Sequence, residues 1–297
     1  MSIKASVIVP TYKRTKSLLR LLDSLVEEMK SDTELIIVEQ GERNEKKIRN
    51  FVQSRKINLH YIYIPTPGIA YAINIGIRRA KGEYIFIFDD DVVLKPGCIN
   101  AHLTNFDSPK VAASVGRVIT NGQRLEPDRC DTARISWLGM CSDGFSSKVR
   151  QTVDTVIACN TCWRKNIFRN LGGIDEQFTG SALRFETDLS LRIKKAGYSI
   201  IFDPKAEVMH MREEKGGARK SEGRIRWYFD FFSNETYFFL KHKTPALLPL
   251  FLVTKASWAI RCMFGFGREV SIRSIMTPLY GIIDGIRKER RLYENRY

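Results

Sequence analysis

The sequence predicts an α/β fold: a Rossmann-like, mostly parallel central sheet flanked by helices, with a helical extension at the C-terminal end. Three observations predict it. Short apolar runs of strand length alternate with helical stretches from Ala5 to Phe88, the pattern of a doubly wound sheet. Three of those runs end in polar or charged clusters, at Pro10-Thr11-Tyr12-Lys13-Arg14, at Glu39 and at Asp89 to Asp91. Ligands bind beyond the carboxyl ends of the strands in such sheets, so the three clusters are expected to converge on one crevice. The last run, Phe86-Ile87-Phe88, leads straight into three carboxylates.

The elements follow in order. Ala5 to Pro10 is a short apolar run ended by proline, read as a buried parallel strand. Ser17 to Met29 is an amphipathic helix, with Leu18, Leu21, Leu22 and Leu25 on one face. Glu34 to Glu39 is a second strand, Lys46 to Arg55 a helix, and Leu59 to Ile64 a third strand closed by Pro65-Thr66-Pro67-Gly68. Ile69 to Ala80 is a helix stopped by Lys81-Gly82, and Glu83 to Phe88 is the fourth strand. The middle is less regular. Ala112 to Ile119 and Asp154 to Cys159 read as strands around a variable insert, and Leu171 to Asp175 as a turn. Phe185 to Ala196 is a helix with Glu186 and Asp188 in its first turn, where carboxylates suit the helix dipole. Tyr198 to Phe202 and Ala206 to His210 are two short strands, Arg212 to Arg224 a mobile loop, and Arg224 to Lys243 an aromatic-rich helix.

At 297 residues, 43% hydrophobic and 27% charged, the chain is long enough for one large core. The expected division is a catalytic unit over 1–220 and a basic, aromatic helical extension over 221–297. The net charge is +15, and from Lys215 to Tyr297 there are 16 Lys or Arg against 7 Asp or Glu. That asymmetry predicts an anionic partner: a phosphorylated lipid, a membrane surface or nucleic acid. No secretory signal is visible at Met1 to Ser6, and the apolar tail is too interrupted for an ordinary membrane span. Six cysteines show no disulfide framework, which favours a reducing cytoplasm. There is no GxGxxG and no GxxxxGK[ST], so neither a dinucleotide fingerprint nor a P-loop applies.

Three carboxylates at a strand end are costly to bury unless something positive sits there. A divalent cation bound to a diphosphate is the natural candidate. On an extended backbone Asp89 and Asp91 point one way and Asp90 the other, so one pair can face a ligand while the third residue holds the loop. A solvated acidic turn is the plainer alternative.

Together these features resemble the family-2 glycosyltransferases of the GT-A fold. The resemblance runs from Ser6 to about His210. It is carried by SVIVPTYKR at the first strand, GIAYAINIGIRRAKGEYIFIFDDD through the acid run, GGIDEQF, and FETDLSLRIKKAGY. The tail RIRWYFDFFSNETYFFLKHK is similar to that of rhamnosyltransferase-like members, though less specifically. The resemblance implies an inverting, metal-dependent transfer of a sugar from a nucleotide-diphospho-sugar to an acceptor hydroxyl.

What it implies for single residues is as follows. Asp89 and Asp91 match the two acids of the family's DxD, with Asp91 on Mg²⁺ or Mn²⁺ and Asp89 on the ribose or the metal shell. Hard oxygen ligands suit those ions. Glu39 stands where members often carry an Asp contacting the nucleotide, and its longer side chain is a departure. Pro10, Thr11, Tyr12 and Arg14 line the same pocket, Arg14 meeting a phosphate. Asn74 and Asp90 complete the donor-binding set. Aligning the family's acidic pair on Asp188-Leu189 makes Glu186 the general base and Asp188 the fallback. His210 is a candidate metal ligand, against the plainer reading of a structural histidine.

Cys159-Asn160-Thr161-Cys162 is a CxxC that could bind zinc with Cys130 and Cys141, but pocket or core cysteines are the preferred reading. The aromatic and basic tail has the composition of helices that lie on a bilayer, which implies peripheral contact with the inner membrane face and a saccharide or lipid-linked acceptor. Core packing is the alternative. Two rivals come from other classes. A sugar nucleotidyltransferase would carry a glycine-rich phosphate loop, which SVIVPTYKR lacks. A nucleic-acid-binding protein is suggested by charge alone, with no recognised module.

Overall fold

The computed structural model describes residues 3–53, 55, 57–123, 125, 127–213, 216, 217, 223–264 and 271–294. The strands are β1 (Ala5–Tyr12), β2 (Thr33–Gln40), β3 (Asn58–Ile64), β4 (Tyr84–Phe88), β5 (Val92–Leu94), β6 (Val111–Thr120), β7 (Gln151–Val153), β8 (Asn160–Arg164) and β9 (Ser199–His210). Between and after them run helices α1 (Thr15–Glu28), α2 (Glu45–Gln53), α3 (Ile69–Arg79), α4 (Cys98–Leu103), α5 (Lys165–Asn170), α6 (Phe185–Lys195), α7 (Arg224–His242), α8 (Leu248–Val253), α9 (Ala256–Phe264) and α10 (Ile272–Glu294).

The strands form one sheet in the order β3-β2-β1-β4-β8-β6-β9-β5, with β7 beside β9. The first four are parallel, as the alternation of strand and helix requires. From β8 onward the sheet is mixed: β8 is antiparallel to β4 and β6, while β6 and β9 are parallel. The chain moves outward from β1 to β3 and then returns to place β4 on the other side of β1. That reversal opens a crevice between the ends of β1 and β4, where Arg14 and the acid run emerge. The buried faces of these strands form the main core with Leu18, Leu21, Leu22 and Leu25 of α1.

Beyond β4 the structure departs from the sequence expectation in three places. Residues 154–159 are a loop rather than a strand, and Asp154 there accepts the Ile135 amide at 3.0 Å. The two short strands expected after α6 are one strand, β9, broken in register. Gly116 of β6 pairs with Asp203 and Arg117 with Glu207, so β9 bulges around Pro204, which has no amide to give the ladder. A side chain at Gly116 would lie 2.0 Å from the Ala206 carbonyl, so only glycine admits this approach. The third departure is in the tail. Tyr228, Phe231, Phe232, Tyr237, Phe238 and Phe239 of α7 are buried, and Tyr237 and Phe238 belong to the main core. Core packing therefore accounts for the aromatics of this helix. The division expected near residue 220, and part of the loop expected over 212–224, lie outside the described residues.

Candidate active site

Register brings the acids and the histidine together. Val92 of β5 pairs antiparallel with His210, the last residue of β9, so the imidazole arrives beside Asp91. His210 Nε2 lies 3.1 Å from Asp91 Oδ1. Asp89, Asp91 and His210 offer ligand atoms that all lie within 4.8 Å of one another. Two carboxylates and one imidazole are a donor set that fits Mg²⁺ or Mn²⁺. Among the described residues this is the one such cluster.

Asp90 turns away from the cluster. Its carboxylate accepts the Thr11 hydroxyl at 2.6 Å and the Arg14 guanidinium at 3.3 Å. Burial pushes this carboxyl up to about 7, against the pull of Arg14 and Thr11. Arg14 also donates to Asp91 at 2.9 Å, so one guanidinium bridges two of the three acids. Burial alone would raise Asp91, but the hydrogen bond and charge of His210, with Arg14, hold it below its ordinary value. Burial works to lower His210, and Asp91 outweighs it, so the imidazole is raised. Gly216 and Gly217 lie over Arg14. A side chain at either would come within 2.7 Å of it, and both have φ above +70°.

A cavity of about 1000 Å³ opens on this cluster. Pro10, Tyr12, Arg14 and the acids 89–91 line it, with Gln40, Pro67 and Gly68. Val118, Phe145, Ile157, Leu183 and Phe185 add apolar wall. Glu186 and Cys159 line the same cavity. Burial, and then the charges of Asp89, Asp91 and Glu186, push the Cys159 thiol well above its usual range. The metal-type cluster and Glu186 therefore both lie within electrostatic reach of one buried thiol.

Several expected site residues lie outside the cavity wall. Thr11 is buried behind Asp90. Glu39 accepts both the backbone and the side-chain nitrogens of Asn44, at 2.7 and 2.9 Å, and the Tyr61 hydroxyl. Its carboxylate shapes the loop after β2. The next residue, Gln40, is the one that reaches the cavity, where its side-chain oxygen accepts the Gly68 amide at 2.8 Å. Sequence reasoning missed Gln40. The alternation of a strand, which turns neighbours to opposite faces, carried the signal. Asn74 grips the turn after α5, donating to the Ile174 carbonyl at 2.8 Å and accepting its amide at 3.0 Å.

Asp188 is fully buried against α7. It pairs with Arg192 at 2.7 Å, Lys241 at 2.7 Å and His242 at 2.7 Å. Burial acts to raise its carboxyl, but these hydrogen bonds and charges hold it far below the usual carboxylate range. The cysteines are all free thiols, and no group of thiols at metal-ligand spacing occurs among the described residues. Cys162 is packed inside β8.

Residues 6–172, more than half of the chain, match the model described as glycosyl transferase family 2. The pre-mycofactocin glycosyltransferase of Mycobacterium tuberculosis is 24% identical over 206 residues, covering 69% of this chain and 42% of that protein. A probable glycosyltransferase of Bacillus subtilis, YdaM, is 25% identical over 221 residues, covering 71% of this chain and 51% of its own. The chain thus spans about half the length of these relatives. Two solved structures share the architecture. GalNAc-T7 with UDP, GalNAc and Mn²⁺ matches with a TM-score of 0.63 at 11% identity, over 86% of this chain and 58% of that one. The mannosyltransferase PcManGT of Pyrobaculum calidifontis, in complex with GDP-Man and Mn²⁺, matches at 0.58 and 15%, over 98% and 88%. At such identities the likeness establishes the fold, α/β of the GT-A kind.

Proposed function

The chain belongs to glycosyl transferase family 2, and on that premise we propose that it moves a sugar from a nucleotide-diphospho-sugar to an acceptor hydroxyl with inversion. One observation carries the reading: a single cavity is lined by both the Asp89, Asp91 and His210 cluster and Glu186. The acceptor oxygen attacks the anomeric carbon on the face opposite the diphosphate. The bond from that carbon to the diphosphate oxygen breaks, the nucleoside diphosphate leaves with the electron pair, and Glu186 takes the acceptor's proton. A Mg²⁺ or Mn²⁺ ion on Asp89, Asp91 and His210 would neutralise the charge developing on the diphosphate. Arg14 and Thr11 hold the acid run in place by binding Asp90 and Asp91. Gln40 and Gly68 form a fixed polar edge of the cavity.

The test offers the purified chain a panel of nucleotide sugars with Mn²⁺ and identifies the product released, water serving as a poor acceptor. The proposal expects a nucleoside diphosphate from at least one donor. No nucleoside diphosphate from any donor, with nucleoside triphosphate and sugar 1-phosphate formed once pyrophosphate is added, would make the chain a nucleotidyltransferase.

Within the same reading the acceptor is a saccharide or lipid-linked saccharide of a cell-surface glycan, and the enzyme works in the cytoplasm on the inner membrane face. Support comes from the C-terminal helices. Among the described residues thirteen large apolar side chains are exposed, and eight of them lie between 250 and 280. Exposed Arg261 and Arg273 share this stretch. No single described helix is long and apolar enough to cross a membrane, but Pro245–Val253 and Ala256–Phe264, bent by 57°, reach that length and hydropathy together. Such an elbow with exposed cations suits the headgroup layer of an anionic bilayer.

A further inference from the structure

The turn that leads into α6 is built from backbone conformations that side chains disfavour. Gly180, Ala182 and Arg184 all have positive φ, at 62°, 48° and 80°. Two of these are not glycine, so their surroundings must hold them there. The turn places Ser181, Leu183, Phe185 and Glu186 on the cavity wall.

What surrounds it comes from the C-terminal helices. Asn234 of α7 accepts the Thr179 amide at 3.2 Å and donates to the Thr179 carbonyl at 2.9 Å. Asp230 accepts the Thr179 hydroxyl at 3.1 Å. It also lies so close to Gly180 that a side chain there would come within 2.3 Å of its carboxylate. Arg184 is held by both oxygens of Glu235, at 2.9 and 3.0 Å, with Lys255 behind them at 3.1 Å. From α10 the buried Lys288 donates to Thr179 at 3.0 Å, Ser233 at 2.8 Å and Asn234 at 3.4 Å. Gly281 and Gly285 of α10 let the two helices meet, since a side chain at either would fall within 2.7 Å of a backbone carbonyl of α7.

Helix geometry turns these contacts into aim. Glu186 and Asp188 are two residues apart on α6 and project from nearly opposite sides, and Arg184 is the residue that enters the helix. Both flanking residues are pinned to α7, Arg184 by Glu235 and Asp188 by Lys241 and His242. Glu186 is thereby turned to the cavity.

We propose that α7 and α10 are the positioning platform for the general base: Asn234, Asp230, Glu235 and Lys288 hold the Thr179–Arg184 turn so that Glu186 meets the acceptor hydroxyl. None of the four lines the cavity, and each is a positioning residue. The inference rests on the reaction proposed above for its catalytic consequence, though the turn's dependence on the helices stands on the contacts alone.

Asn234→Ala, Lys288→Met and Lys288→Arg test it in the full chain, with three readouts. The first is hydrogen exchange across residues 178–190. The second is nucleoside diphosphate affinity with Mn²⁺. The third is donor turnover. Asn234→Ala and Lys288→Met are expected to speed exchange in that segment while the β1–β4 amides stay protected. Turnover should fall about tenfold or more, since small misplacements of a reacting group are costly, with nucleotide affinity held within about twofold. Lys288→Arg should restore most of the turnover. Folded variants with unchanged exchange in the turn would overturn the platform. So would a fall in nucleotide affinity equal to the fall in turnover, which marks a general loss of structure. If the wild type turns over no donor, the transferase reading fails by itself, and the exchange result alone decides the platform. A variant too unstable to purify is replaced by Thr179→Val, which removes only the hydroxyl contacts with Asp230 and Lys288, with the same expectations.

Discussion

Glu186 and Asp188 stand two residues apart on α6 and do different work. Glu186 lines the cavity, while Asp188 is buried against Arg192, Lys241 and His242. Glu186→Gln is therefore expected to lower donor turnover by about 10²-fold or more, the scale of a lost general base, with nucleotide affinity unchanged. Asp188→Asn is expected to lower stability by about 3–5 kcal/mol, because it takes the buried carboxylate away from Arg192, Lys241 and His242 together. Denaturant melts and product release on the two variants separate the roles. Near-normal turnover in Glu186→Gln would remove it as the base. The Asp188 carboxyl is depressed in the fold. Its contribution is full above the ordinary carboxylate range and is lost only as pH falls through the lowered value, so the clamp persists into strong acid. At this scale the sequence was legible where local chemistry decides. Three acids after a strand pointed to the cluster, and side-chain alternation separated Asp90 from its neighbours. It was not legible where tertiary partners decide. Nothing near Glu39 in the chain announced Tyr61, and nothing near Asp188 announced Lys241 and His242.

At the scale of elements, the parallel half of the sheet was readable because each strand is a short, mostly apolar run set off by helical stretches or turn signals. β5, β7 and β8 were not. They have three to five residues, and their pairing comes from distant partners rather than from pattern. β9 was seen as two strands because a proline and a bulge interrupt it. The tail divides in a way composition could not reveal. α7 is aromatic because it is core, whereas α8, α9 and the start of α10 expose Leu250, Val253, Ile260, Phe264 and Ile272. These last elements are the ones expected to meet lipid. Sedimentation with vesicles should show binding to anionic and not to zwitterionic bilayers, reduced by salt and by Val253→Ser with Ile260→Ser. Equal indifference to both vesicle types at low salt would leave the exposed face without a bilayer partner.

At the scale of the whole molecule, the fold brings to one crevice groups that are far apart in the chain. Arg14 follows β1, the acids follow β4, Glu186 opens α6, and His210 closes β9. The C-terminal helices, which composition marks as an appendage, reach back through α7 to the turn before Glu186 and enter the main core at Tyr237 and Phe238. The positive charge of the tail is partly spent inside the protein, on Glu235, Asp188 and Asp284, rather than on an outside partner. The central claim is that the crevice holds a nucleoside diphosphate through a divalent cation. Thermal melting with UDP, GDP, dTDP and CDP, each with and without Mn²⁺, tests it on the wild type and on Asp91→Ala. The expected result is stabilisation by at least one nucleotide that requires Mn²⁺ and is absent from the variant. At a ligand concentration of about 100 times Kd it would amount to about 2.7 kcal/mol. A folded wild type that no nucleotide stabilises with Mn²⁺ would contradict the account.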